Sequence, residues 1–161
     1  MRLVAAGMCP LEIRVGVGGS SVAAQKVMVG NGTGADEVWR KHAGHTASRG
    51  QFTLPQGSWT DTFTYVVHGC GRVNVSARFA WGQDVLQWQS FNREVRILLN
   101  GNQIAHQSWS GTTSSWIVNL TPPTQNLHHG DVIVAQGYVT GTGRESARNM
   151  DESSILLVPL V

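Results

Sequence analysis

The 161 residues carry 12 Lys+Arg against 10 Asp+Glu, a formal net charge of +2, and a charged fraction of 14%, about half that of an ordinary soluble domain. A hydrophobic fraction of 41% with a mean hydropathy of −0.11 excludes both a disordered chain and a membrane-inserted one. The basic residues are interspersed with acids and form no run that would grip a phosphate backbone, so nucleic acid is not an expected partner.

In chain order, Leu11, Ile13, Val15 and Val17 alternate, Gly18-Gly19 turns the chain, and Val22 to Val29 runs back. Gly30 to Gly34 then leads into a third short run ending Val38-Trp39-Arg40-Lys41. Such a piece, residues 1–45, cannot bury enough surface alone and is expected to lean on its own C-terminal domain, a sister subunit or another protein. From His42 onward Gly, Ser, Thr and Gln become prominent, and residues 46–58 are expected to be a linker. Residues 59–161 hold the main domain.

Within it, Thr62 to Val67 runs into the turn His68-Gly69-Cys70-Gly71, and Arg72 to Trp81 follows with Val73, Val75, Ala77, Phe79 and Trp81 on one face and Asn74, Ser76 and Arg78 on the other. Glu94 to Leu99 and Asn102 to Gln107 flank Asn100-Gly101, a dipeptide suited to a two-residue type I′ hairpin because both of its positions need φ > 0. Further strands are expected at Ser115–Leu120, Asp131–Thr140 and Ser154–Val161. No helical stripe interrupts the series, and the fold class is all-β, a sandwich or jelly roll behind a short N-terminal hairpin module.

Chemistry-bearing motifs are sparse. Gly16-Val17-Gly18-Gly19 has no helix after it and reads as a hairpin turn rather than a phosphate loop. His42-x-x-His45 and His128-His129-x-Asp131 lack the companions that complete a four-ligand site and read as solvated loops, so no metal or cofactor is expected. Neither a nucleophile–base pair nor a carboxylate pair can be nominated, and the chain is not expected to be an enzyme. Cys9 and Cys70 form no paired motif and read as free thiols. The apolar stretch from Leu3 to Cys9 is cut short by Pro10 and Glu12 without a cleavage site, which points to folding in the cytoplasm.

Six tryptophans, at 39, 59, 81, 88, 109 and 116, are many for this length. Trp81 and Trp116 fall on apolar faces and read as core, whereas Trp88 and Trp109 lie in polar surroundings, where an indole suits a subunit interface or a glycan. The low charge favours the interface, since the cores of interfaces are depleted in charge.

The motifs Phe63-Thr64-Tyr65-Val66-Val67, Gly69-x-Gly71-Arg72-Val73-x-Val75, Arg96-Ile97-Leu98-Leu99-Asn100-Gly101, Leu127-x-x-Gly130-Asp131-Val132-Ile133 and Ile155 to Pro159 follow one another in order. Together they resemble the tumour-necrosis-factor and complement-like jelly rolls found at the ends of tailed-bacteriophage virion proteins. Val29-Gly30-Asn31-Gly32 through Val38-Trp39 resembles short β modules of phage minor tail proteins. The resemblance implies a virion protein, made in the host cytoplasm, whose jelly roll forms a homotrimer and whose partners are other tail or capsid proteins. A minor tail protein, a capsid decoration protein and a lectin-like module contacting host-surface glycan through Trp88 or Trp109 are the readings it leaves open.

Overall fold

The computed structural model describes residues 14–17, 20–30, 35–81, 90–111, 115–141 and 149–160. Among the described residues every regular element is a strand: β1 (Arg14–Val17), β2 (Ser20–Ala23), β3 (Lys26–Gly30), β4 (Ala35–Arg40), β5 (His45–Arg49), β6 (Phe52–Thr53), β7 (Thr60–Val66), β8 (Gly71–Trp81), β9 (Phe91–Leu99), β10 (Asn102–Gly111), β11 (Trp116–Leu120), β12 (Gln125–Leu127), β13 (Val132–Gly141) and β14 (Asn149–Pro159). Two antiparallel sheets pack face to face. The front sheet has the order β10-β9-β13-β7 and the back sheet β11-β8-β14-β5, with β12 also on β8 and β6 on β14.

The pairings define the wrap. Setting aside the short β6, the sandwich's first strand β5 pairs with its last, β14, then β7 pairs with β13, β8 with β11 and β12, and β9 with β10. One long antiparallel hairpin is thus rolled up on itself, which is the jelly-roll arrangement. Its innermost turn is Asn100-Gly101, with φ of 51° and 80° and Leu99 opposite Asn102, the two-residue hairpin that the sequence calls for. Asn100 also ties this turn to β13: its Nδ2 donates to Asp131 Oδ1 at 2.9 Å and its Oδ1 accepts the Val132 N–H at 2.8 Å.

Period-two alternation places the core. Val73, Val75, Ala77, Phe79 and Trp81 of β8 are all buried and face Val95 and Ile97 of β9 and Ile133, Ala135 and Val139 of β13. Burying a side chain of this size contributes about 1.5–3 kcal/mol before the entropy of ordering is subtracted. Gly137 is where β13 lets Leu54 and Met150 close in, since a Cβ there would lie 2.9 Å from Met150 Cε and 3.2 Å from Leu54 Cδ1.

Residues 46–58 therefore do not form a linker. Ser48 and Ala47 pair with Ser154 and Ile155, Phe52 pairs with Met150, and Leu54 is fully buried. The polar composition misleads because β5 is an edge strand with one solvated face, and the fully buried Leu54, with Ala47 and Phe52 packed partly buried beside the core, fixes the segment.

The N-terminal piece is two hairpins rather than a three-strand meander. β1 pairs with β2, Val17 opposite Ser20, and β3 pairs with β4. The run from Val22 to Val29 breaks at Ala24-Gln25, where the Gln25 carbonyl accepts the Lys41 N–H at 2.7 Å. Hairpins of this size are marginal alone. Ala24 and Val27 pack on the fully buried Cys70, and Lys41 bridges Cys70, so the module leans on its own sandwich at this end. Cys70 is in a disulfide and not a free thiol; the chain's other cysteine, Cys9, lies outside the described residues. Two isolated cysteines carry no spacing signal that could reveal a bond made by tertiary folding.

Candidate interaction surfaces

At one end of the sandwich the strands finish in an aromatic stack. Phe79 and Trp81 lie 6.5 Å apart, Trp81 and Trp116 5.0 Å, and Trp116 and Trp109 6.5 Å, all within 28° of parallel. The fully buried Arg93 of β9 sits among them, its guanidinium 5.6 to 5.8 Å from the rings of Trp109, Phe91 and Trp81. Aromatic faces stabilise such a cation when it is withdrawn from water. Trp109 pairs with Arg93 across β10 and β9 and is partly buried against the core, so it joins the two sheets more than it offers a free indole. Trp88 lies outside the described residues.

At the opposite end, His42 is 2% exposed, contrary to the solvated loop expected. Its Nδ1 accepts the Gly44 N–H at 2.9 Å, which leaves the ring proton on Nε2, 3.4 Å from Tyr65 Oη. The half-buried His45 stacks on Tyr65 at 4.0 Å and 14°, His68 meets Tyr65 edge-on at 6.2 Å, and His129 lies 6.0 Å from His68. Burial lowers the pKa of His42 below its ordinary value, and the neighbouring His45 and His68 lower it further. The other histidine motif closes a turn, with the His128 N–H donating to Asp131 Oδ2 at 2.7 Å. Among the described residues no three His, Cys, Asp or Glu side chains converge as metal ligands would.

The two outer faces differ. On the back sheet, Ile117, Leu156 and Val158 are 60%, 45% and 44% exposed. Their register neighbours are small or uncharged: Ala80 beside Ile117, Ser76 and Thr46 flanking Leu156, Asn74 beside Val158. Charges on this sheet among the described residues include Arg72, Asp151, and Arg78 with its partner Glu152 at 3.7 Å.

On the front sheet the outer face is apolar at one end, where Val66 is 45% exposed opposite Val132, and aromatic and polar towards the other. The chain reaches it through Gly57, whose φ of 74° suits glycine and whose N–H donates to the Val139 carbonyl at 2.8 Å. This delivers Trp59 onto Arg96, whose guanidinium lies 3.9 Å from the indole centroid, and beside Tyr138 at 5.2 Å. Arg96 Nε donates to Gln136 Oε1 at 2.7 Å, and Gln136 Nε2 donates to Asp61 Oδ1 at 2.6 Å. Glu94 and His106 form a second pair at 2.9 Å. Trp59 was not among the expected site residues, although Ser58 and Thr60 flank it much as Ser108 and Ser110 flank Trp109.

No protein-family model matches the chain, and a search of curated proteins finds no match.

Proposed function

We propose that this chain is a structural protein of a tailed-phage virion, a minor tail protein that anchors by its N-terminal hairpins and trimerises through its jelly roll. The observation that carries the reading is the back sheet's outer face, where Leu156 and Val158 of β14 stand exposed beside Ser76 and Asn74, and Ile117 stands exposed beyond the row of Arg78. Exposed apolar side chains on a sheet face are an aggregation hazard on a monomer and an asset within a closed symmetric oligomer. The number three and the virion location come from the resemblance of the strand motifs to phage-borne jelly rolls. The Cys70 disulfide suits a protein that spends its working life outside a reducing cytosol.

Native mass spectrometry of the full chain tests the assembly: a species of about 52 kDa, three times 17.4 kDa, is expected. Leu156→Arg combined with Val158→Arg should give a folded monomer, because each interface would then have to bury guanidinium groups without a partner. A wild-type monomer at tens of micromolar refutes the reading. Failure to detect the chain by mass spectrometry in purified particles of the encoding phage refutes the virion role.

A further inference from the structure

We propose that the outer face of the front sheet around Trp59 and Tyr138 is a binding site for a neutral saccharide. The proposal goes beyond the assembly reading and needs none of it, since this face lies on the opposite side of the sandwich from Leu156 and Val158.

A pyranose ring offers an apolar face of C–H groups and a rim of paired hydroxyls. It is held by an aromatic plane beneath the first and by planar hydrogen-bonding groups beside the second. Trp59 and Tyr138 supply the aromatic part, partly exposed, with centroids 5.2 Å apart and planes inclined by 35°, a shallow angled platform rather than a closed core pair. Arg96, Gln136 and Asp61 supply the rim. Their side chains are already joined in series by bonds of 2.7 and 2.6 Å, so their orientation is set before any ligand arrives and little side-chain entropy is lost on binding.

Capacity remains beyond those bonds. A carboxylate accepts at roughly four positions and a guanidinium donates from about five N–H groups, whereas the Arg96–Gln136–Asp61 series uses one N–H of Arg96 and one acceptor position of Asp61. Adjacent sugar hydroxyls, each both donor and acceptor, match that mixture. The charge balance selects among sugars. Asp61 and Glu94 set two carboxylates beside the guanidinium of Arg96 and the ring of His106, so the face has no excess of positive charge to favour phosphates or acidic sugars.

The test is isothermal titration calorimetry of the full chain with a panel of neutral probes: glucose, galactose, mannose, rhamnose, N-acetylglucosamine and their disaccharides, with glucuronic acid as the acidic comparison. At least one neutral sugar is expected to bind with a Kd below about 10 mM. Trp59→Ala and Tyr138→Ala should each weaken it by about tenfold, the size of a lost aromatic contact. Asp61→Ala removes an exposed carboxylate whose bond to Gln136 is solvent-facing, and should weaken binding about threefold or more with little change in urea midpoint. Leu156→Ser, on the other face, should leave the affinity unchanged. Absence of binding across the panel overturns the proposal. So does binding that survives both aromatic substitutions, or glucuronic acid binding more tightly than glucose.

Discussion

Acidification should loosen the end of the sandwich where the N-terminal hairpins join it, through His42. The ring is buried, accepts the Gly44 N–H at Nδ1 and has the rings of His45 and His68 nearby. Protonation would place a second hydrogen against the Gly44 donor and a charge in a buried site beside the rings of His45 and His68. The folded-state pKa therefore lies below that of the unfolded chain. Above the ordinary histidine value of about 6.5 both states are neutral and this group adds no pH dependence. As pH falls below that value the unfolded chain takes up the proton first, and stability falls. The decline approaches about 1.4 kcal/mol per pH unit for one proton and levels off only once His42 protonates in the folded state. Urea midpoints measured from pH 7.5 to 5.0 for the wild type and for His42→Asn should diverge in this window, the variant keeping the shallower slope. Parallel curves across the whole range would refute the assignment of the lowered pKa to His42.

Two further outcomes follow from the fold. Asn100→Ala should destabilise by about 2–3 kcal/mol, because it forces a Cβ residue without a local acceptor into positive φ and deletes the two bonds to Asp131 and Val132. Asn100→Gly should recover only the backbone share, so equal urea midpoints for the two variants would show that φ alone matters. Reducing the Cys70 disulfide in the full chain should lower stability by about 2–5 kcal/mol, read as a drop in urea midpoint with added dithiothreitol. An unchanged midpoint would show that the cross-link does not hold the junction.

Local signals of strand and turn were legible in particular places. The alternation from Val73 to Trp81 appears in the structure as a buried face opposite a solvated one. Asn100-Gly101 makes the turn that its two tolerant positions allow. Leu54 and the edge strand β5 were not legible, because a strand with one partner and a water-facing side needs no apolar run, and one buried leucine leaves no period to read. The surfaces were less legible still. Trp109 and Trp59 have equally polar neighbours in the chain, yet one is stacked on Trp116 at the end of the core and the other rests on Arg96 outside the sheet.

The amino-acid order by itself determined the all-β class, the inward and outward faces of the long strands and the central hairpin, since each depends on interactions between near neighbours. Tertiary structure alone decided that His42, His45, Tyr65, His68 and His129 gather at one end, and that Trp59, Tyr138, Arg96, Gln136 and Asp61 share one face. In a rolled-up hairpin, the residues that meet come from strands far apart in the chain, and their meeting is set by the closure of the roll, which no local pattern encodes.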